Sequence, residues 1–394
     1  MRNTGLHILL IFVSSASAVA QTAVDSLESL LQKRLDDTSR ISVLISLSRE
    51  YQYSNIDKSR DLAENALRIA ESKDFPRHKV HAYQNIGTLY SVSGDYSTAL
   101  RYDNLALQNS LENRDSANLT IDYNNVASDY YDLGEYDEAF YYFTQSYRVA
   151  RSIDDSLRMT IALHNVGRVF KELGQFDRAL AHLNLSLNMS ESIDDIEGVP
   201  YSLDEIGDVM LRKGEYDSAL SILSKSLQLT RQQNVLVLEP KTLAKLATVH
   251  LNSSNFDHAL AYYDSTYAIH ERTGNEFGIA EVELGRGLVF IEQGKYEQAM
   301  QSINRSLSLA KQSNARTLEI RGYHTLSNLY ELREDYKQSL AYFKQFKQLE
   351  DSLFSQDMQE KLLRDQIRFE TEDKDTEIAA LNLSPAQTRW LPAA

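Results

Sequence analysis

The sequence contains no cysteine among its 394 residues. That absence excludes disulfide bonds, thiolate metal sites and a lipid attached through cysteine. Basic residues are outnumbered as well: 41 lysines and arginines stand against 56 aspartates and glutamates, which gives a formal net charge of −15. No basic stripe is present to displace the counterions of phosphate groups, so we do not expect the chain to bind nucleic acid.

Known catalytic motifs are also missing. The sequence has no His-Glu-x-x-His, no Gly-x-Ser-x-Gly and no glycine-rich phosphate loop. His78 and His81 are one helical turn apart, but no third metal ligand is within reach in the sequence, so we interpret them as ordinary surface histidines. We therefore predict that the chain is not an enzyme and that it holds no metal and no cofactor.

A seven-residue pattern organises the rest of the chain. It consists of a glycine, a polar residue and an aromatic residue, with an alanine three positions after the aromatic one, as in the stretch from Gly134 to Phe140. Copies of varying strength recur every 40 residues and begin at Gly94, Gly134, Gly174, Gly214, Ser254, Gly294 and Glu334. A fixed period of this size indicates a repeat array.

Each repeat has the pattern of two helices separated by the glycine, which suits the left-handed turn at a helix end. Small residues form two columns through the repeats. The first column is Gly87, Ala127, Gly167, Gly207, Ala247, Gly287 and Ser327, and the second runs from Ala99 in steps of 40 to Ala299 and ends at Ser339. We expect helix backbones to approach closely at both columns, with Ala139 and Gly167 at helix contacts.

These residues resemble the tetratricopeptide repeat over roughly residues 40–350. The usual unit has about 34 residues, and the 40-residue form is similar to the repeats of kinesin light chain and of bacterial Rap regulators. The resemblance implies an all-α fold, a right-handed superhelical solenoid of helix-turn-helix repeats. We predict eight repeats over residues 40–350, preceded by a capping helix over residues 21–39.

The first 20 residues have the layout of a cleaved secretory signal. Arg2 precedes a short apolar stretch from Leu6 to Val13, and Ala18 and Ala20 form the exit site before Gln21. The apolar stretch is too short to span a membrane. We therefore expect a periplasmic or secreted protein whose mature chain begins at Gln21.

Residues 351–383 are predicted to form a long, coiled-coil-like helix, followed by an irregular tail over residues 384–394. The stretches Leu349 to Phe354 and Phe369 to Ile378 resemble the connector of Bacteroidetes-type repeat receptors, which leads to a membrane helix and then to a histidine kinase or helix-turn-helix output domain. Neither part follows in this sequence. We expect the sensory ectodomain of a truncated signalling receptor, or alternatively a free-standing periplasmic adaptor, and the connector offers a surface for self-association.

The resemblance also implies that the first helix of each pair lines a concave, peptide-binding face. Its sixth position carries Asn85, Asn125 and Asn165, whose amides are able to grip a peptide backbone. We predict that basic residues nearby hold a carboxylate, namely Arg168, Lys241, Lys245 and Arg321. The alternative is a solvated face whose polar residues have no special role.

Overall fold

The computed structural model describes residues 24–52, 55–313 and 315–353, which are helical apart from short turns and contain no strand. The predicted all-α fold is confirmed. The chain divides into two compact units, residues 1–162 and residues 163–394. The predicted signal peptide and tail lie outside the described residues, as does almost all of the predicted connector over residues 351–383.

The helices have nearly uniform lengths from α2 onward. The helices wholly within the first unit are α1 (residues 24–31), α2 (Asp37–Tyr51), α3 (Ile56–Ser72), α4 (Pro76–Val92), α5 (Tyr96–Glu112), α6 (Ser116–Asp132) and α7 (Tyr136–Ser152). The division between the units falls within α8 (Ser156–Glu172). The second unit contains α9 (Phe176–Ser192), α10 (Gly198–Arg212), α11 (Tyr216–Gln232), α12 (Glu239–Asn252), α13 (Phe256–Thr273), α14 (Glu276–Glu292), α15 (Tyr296–Gln312), α16 (Arg316–Leu332) and α17 (Tyr336–Leu353).

Consecutive helices pack as antiparallel pairs. In the first unit these are α2 with α3, α4 with α5 and α6 with α7, and in the second unit the same pattern runs from α10 with α11 to α16 with α17. Three residues connect the helices of a pair, as between α4 and α5. So short a connection forces the second helix to turn back along the first.

The glycines of the seven-residue pattern make this reversal. Gly94 has φ +80 and Gly134 has φ +81, both in the left-handed region that glycine adopts at little cost. Around Gly94, the Asp95 N–H donates to the Tyr90 carbonyl and the Gly94 N–H donates to the Ser91 carbonyl, each at 3.0 Å. This pair of bonds is the Schellman arrangement, which satisfies the last carbonyls of the helix.

The small columns lie where helices of a pair touch, as predicted. Ala139 is completely buried, and so are its counterparts at Ala99, Ala179, Ala219, Ala259 and Ala299. A Cβ atom added to Gly167 would lie 2.6 Å from Cγ of Leu183 in α9, and one added to Gly207 would lie 2.6 Å from Cγ of Leu223. Such distances leave no room for a side chain. The predictions for Ala139 and Gly167 are confirmed.

Candidate binding surface

The first helices of neighbouring pairs touch one another, and the second helices do not in the described part of the chain. In the first unit α4 contacts both α2 and α6, and in the second unit α12 contacts both α10 and α14, which also contacts α16. Closer spacing on that side means that the first helices line the inner side of the packing. We call the surface that they form in each unit the inner face.

Asn85, the first member of the predicted amide ladder, is buried rather than displayed. Only 2% of it is exposed, and its Nδ2 donates to Oγ of Ser48 in α2 at 2.7 Å. The Ser48 hydroxyl is in turn 3.0 Å from that of Ser59 in α3. The donor group of Asn85 therefore joins two helices inside the first unit, and its contact with a ligand stays a prediction.

Asn125 is half-buried in α6, and its Nδ2 lies 3.5 Å from Oδ1 of Asp103 in α5. Asn165 is buried in α8, and its Oδ1 accepts a hydrogen bond of 3.1 Å from the guanidinium of the half-buried Arg168. Of the three asparagines, Asn125 is the most accessible. Peptide contact by these residues stays a prediction.

Lys245 in α12 belongs to a cluster of opposite charges. Its Nζ lies 2.6 Å from Asp204, 3.2 Å from Glu205 and 3.7 Å from Asp208, all on α10. From α8, Lys171 forms ion pairs with Glu205 and Asp208, the second at 2.6 Å. The ammonium group of Lys245 is thus surrounded by three carboxylates of its own chain, and its contact with a ligand carboxylate stays a prediction.

The pKa values of the cluster follow from this geometry. Burial raises the pKa of Glu205, but the charges of Lys245 and Lys171 outweigh that effect and hold its pKa well below the ordinary value. Asp208 behaves in the same way, and its pKa is lowered. Burial lowers the pKa of Lys245, but the neighbouring carboxylates raise it above the ordinary value. Asp204 differs, because burial outweighs the attraction of Lys245 and raises its pKa. The ion pairs of the cluster join α8, α10 and α12.

The other two predicted basic residues stay accessible. Lys241 is exposed one turn before Lys245. Arg321 in α16 is exposed, and its guanidinium lies 3.7 Å from the carboxylate of Glu281 in α14. Both residues lie on first helices of the second unit, where they are able to meet a negatively charged group of a ligand.

Exposed apolar residues on the inner face were not identified from the sequence. In the second unit, Val237 is 62% exposed in the turn before α12, and Phe277 is 46% exposed in the first turn of α14. They are 40 residues apart and thus occupy one repeat position, which Leu157 shares in the first unit with similar exposure. The sequence signal was a bulky apolar residue recurring one turn before the predicted contact position.

Metal-ligating clusters and membrane-spanning helices are both absent from the described residues. No group of three or more metal-ligating side chains occurs there. Nor does any described helix combine the length and apolar character needed to cross a membrane.

The family model of the tetratricopeptide repeat matches residues 119–192 and 238–312. The chain contains tetratricopeptide repeats. No curated protein sequence gives a significant match. The resemblance of the connector to receptor junctions stays a prediction.

Three solved structures with a similar fold each align with most of this chain. A Rap protein complexed with Competence and Sporulation Factor aligns with a TM-score of 0.67 and 12% identity, over 86% of this chain and 93% of that one. The apo quorum sensor NprR from B. thuringiensis aligns with a TM-score of 0.59 and 18% identity, over 86% of this chain and 96% of that one. The Rap conjugation gene regulator of plasmid pLS20, in complex with the Phr* peptide, aligns with a TM-score of 0.58 and 14% identity, over 86% of this chain and 98% of that one. Identities this low show the fold alone. The tetratricopeptide fold is a scaffold suited to binding proteins or peptides.

Proposed function

We propose that this chain is a non-enzymatic scaffold that binds an extended peptide, or an extended segment of a partner protein, on its inner face. We further propose that it does so outside the cytoplasm, as the sensory part of a signalling system. The observation that carries the binding proposal is the exposure of Phe277 in the first helix α14 and of Val237 in the turn that leads into the neighbouring first helix α12.

Large apolar side chains on such a surface lose water contact when a ligand covers them, and this provides the main stabilisation of a complex. Phe277 lies one turn before Glu281 in α14, and Val237 lies one turn before Lys241. Phe277 thus has a charged neighbour on the same side of α14, and Val237 precedes the helix that carries Lys241. Apolar anchors provide affinity, and the charged groups at Lys241 and Arg321 favour a ligand with a carboxylate at a defined position.

The proposed binding is tested with peptides selected on the full chain. A displayed library of random peptides is enriched on the wild type, and affinities of the synthetic peptides are measured by calorimetry. We expect Phe277→Asp to weaken binding by about tenfold or more, since a charge there interrupts the apolar contact. The matched control is Leu185→Asp in α9, a leucine of similar exposure on a second helix.

Loss of binding in Phe277→Asp but not in Leu185→Asp supports the inner face. Equal affinities for all three proteins would show that the peptides bind elsewhere and that this surface is assigned incorrectly.

The proposed location has a separate test. The full gene product is expressed in a bacterium with an outer membrane, and periplasmic and cytoplasmic fractions are analysed by N-terminal sequencing. We expect the periplasmic protein to begin at Gln21, after the Ala18-Val19-Ala20 site. Protein that begins at Met1 and stays in the cytoplasm would contradict the proposed export but would leave the peptide-binding proposal intact.

A further inference from the structure

Three aspartates occupy core positions of the first unit. Asp103 in α5 is 2% exposed, and Asp122 and Asp129 in α6 are 0% and 1% exposed. Other repeats place apolar residues at two of these positions. Later counterparts of Asp103 are Phe143, Leu183, Leu223, Tyr263 and Ile303, all buried, and the exposed Phe343 of the last described helix. Counterparts of Asp129 are Leu89, Val169, Val209, Val249, Val289 and Leu329, also buried. The pairs α4–α5 and α6–α7 therefore carry aspartates at positions where the other repeats have apolar side chains.

The contacts of these acids are incomplete unless protons are added. The carboxyl groups of Asp103 and Asp129 are in hydrogen-bonding contact, which two ionised carboxylates are unable to make. The Ser91 hydroxyl donates to Oδ1 of Asp129 at 2.6 Å, but the buried Oδ2 of Asp129 has no donor. A proton on Asp103 supplies that donor.

The hydrogen-bond donors of Asp122 are neutral. Its Oδ1 accepts a hydrogen bond of 2.6 Å from Nε2 of Gln84 in α4, and the Ser110 hydroxyl of α5 also interacts with its carboxyl. Neutral donors do not balance a buried negative charge, and protonation removes that charge.

The surroundings offer no compensating positive charge. From α4 the neighbours are neutral: Gln84, Ser91 and the backbone at Gly87, where an added Cβ would meet the Asp103 carboxyl. From α6 come Asn125 and the acid Asp132, from the turn before α6 comes Asp115, and Tyr96 lies at the start of α5. Within the described residues, none of the three aspartates has a cationic partner.

Burial and like charge act in the same direction. Burial raises the pKa of Asp129 to about 6 and that of Asp122 to about 6. Burial, followed by the charge of Asp129, raises the pKa of Asp103 well above its ordinary value. In an unfolded chain all three groups would ionise near pH 4, roughly the ordinary value for aspartate.

We propose that Asp103, Asp122 and Asp129 form a proton-dependent lock, which holds α4, α5 and α6 together when the carboxyls are protonated and loosens when they ionise. Because the folded-state pKa values are raised, the stabilisation is complete below about pH 4 and is lost as the pH rises through about 6. The lock adjoins the inner face of the first unit, since Asn125 of α6 lies beside Asp103. It does not depend on the proposed function.

Hydrogen–deuterium exchange on the full chain tests the lock locally. Exchange is measured at pH 5.0 and 7.5, with times corrected for the intrinsic pH dependence of amide exchange. In the wild type we expect protection of peptides from α4 to α6 to fall by about tenfold for each carboxyl that ionises, relative to peptides from α14 to α16. In Asp103→Asn/Asp129→Asn, which keeps the shape but does not ionise, most of this difference should disappear.

The matched control is Asp61→Asn, a change at an exposed aspartate of α3, which should keep the wild-type pH dependence. A second variant, Asp129→Val, places the residue of the later repeats in α6 and should also flatten the pH response. If the double variant Asp103→Asn/Asp129→Asn does not fold, the pH response of Asp129→Val tests the proposed lock. A wild type whose α4 to α6 protection is independent of pH, or a folded variant that keeps the full pH response, would overturn the proposal.

Discussion

The Nζ atom of Lys245 lies 2.6 Å from Oδ2 of Asp204, a residue that is only 1% exposed. Lys245 and its second partner Glu205 are 40 residues apart and occupy one repeat position on neighbouring first helices. Charged side chains at such positions face each other when the helices pack side by side. In the second unit, the polar residues at this repeat position therefore join helices as well as line a surface.

Replacing Lys245 should destabilise the second unit strongly. Lys245→Ala leaves Asp204 without its ammonium partner in a buried place, and loss of one partner of a buried pair costs about 3–5 kcal/mol. Urea unfolding followed by circular dichroism measures the change. The control Lys241→Ala lies on the same helix and is exposed, so it should change the free energy of unfolding by less than about 0.5 kcal/mol. Equal changes in the free energy of unfolding for Lys245→Ala and Lys241→Ala would show that the charged cluster does not stabilise the fold.

The same cluster should lose its contribution in acid. The pKa values of Glu205 and Asp208 are lowered in the folded chain by Lys245 and Lys171, after allowance for burial, which acts in the opposite direction. A carboxyl group whose pKa is lowered by folding stabilises the folded chain at pH values above its unfolded pKa of about 4. This stabilisation is lost as the pH falls through the pKa of the group in the folded chain. The difference in melting temperature between wild type and Lys245→Ala should therefore shrink on going from pH 7 to pH 3. A gap that widens in acid would contradict this assignment.

Removing the amide of Asn85 should weaken the fold rather than only a ligand contact. Asn85→Ala deletes the donor to Ser48 in a buried site, which costs about 1–3 kcal/mol of unfolding free energy. Thr88→Ala, at an exposed residue of the same helix, is the control and should be nearly neutral. The measurement is the urea midpoint. An unchanged midpoint for Asn85→Ala would show that water replaces the lost bond.

The period of 40 residues was sufficient to predict the helix pairs and the small columns, because backbone contacts recur whenever the same residue types recur. It was not sufficient to predict which polar side chains point inward. Asn85 is buried because Ser48, 37 residues earlier, offers it an acceptor, and no repeat spacing contains that information. The pair of Glu205 and Lys245 was more accessible to prediction, since opposite charges share one repeat position. Exposure of Phe277 depends on what packs beside it, which only the structure shows.

Gly167 should tolerate no side chain unless Leu183 is shortened. A Cβ at Gly167 would lie 2.6 Å from Cγ of Leu183, and overpacking of this kind costs about 1–3 kcal/mol. Leu183→Ala alone removes a fully buried leucine and should cost about 2–5 kcal/mol. In the double variant, Gly167→Ala with Leu183→Ala, the clash with Leu183 is absent and only the tight contact of 3.2 Å with the Ala179 carbonyl oxygen remains, so the loss of unfolding free energy should be smaller than the sum of the single losses. Strict additivity in a thermodynamic cycle would show that the two residues do not compete for space.

The turn position after the first helix provides a test of backbone strain with little side-chain effect. Gly294 has φ +71 with nothing within 4 Å of an added Cβ, whereas Glu334 occupies the same repeat position 40 residues later with φ +61. A side chain in the left-handed region costs roughly 1–2 kcal/mol, partly offset by the greater freedom of glycine in the unfolded chain.

We therefore expect Glu334→Gly to raise the free energy of unfolding by about 0.5–1 kcal/mol and Gly294→Glu to lower it by a similar amount. Hydrogen exchange of the α16–α17 and α14–α15 pairs locates each effect, because neighbouring repeats contribute separately to the stability of an array. Ser254, with φ +57 at the same position, gives an independent repetition through Ser254→Gly. If Glu334→Gly destabilised its pair, the left-handed turn there would be held by contacts of the glutamate side chain instead of being tolerated at a cost.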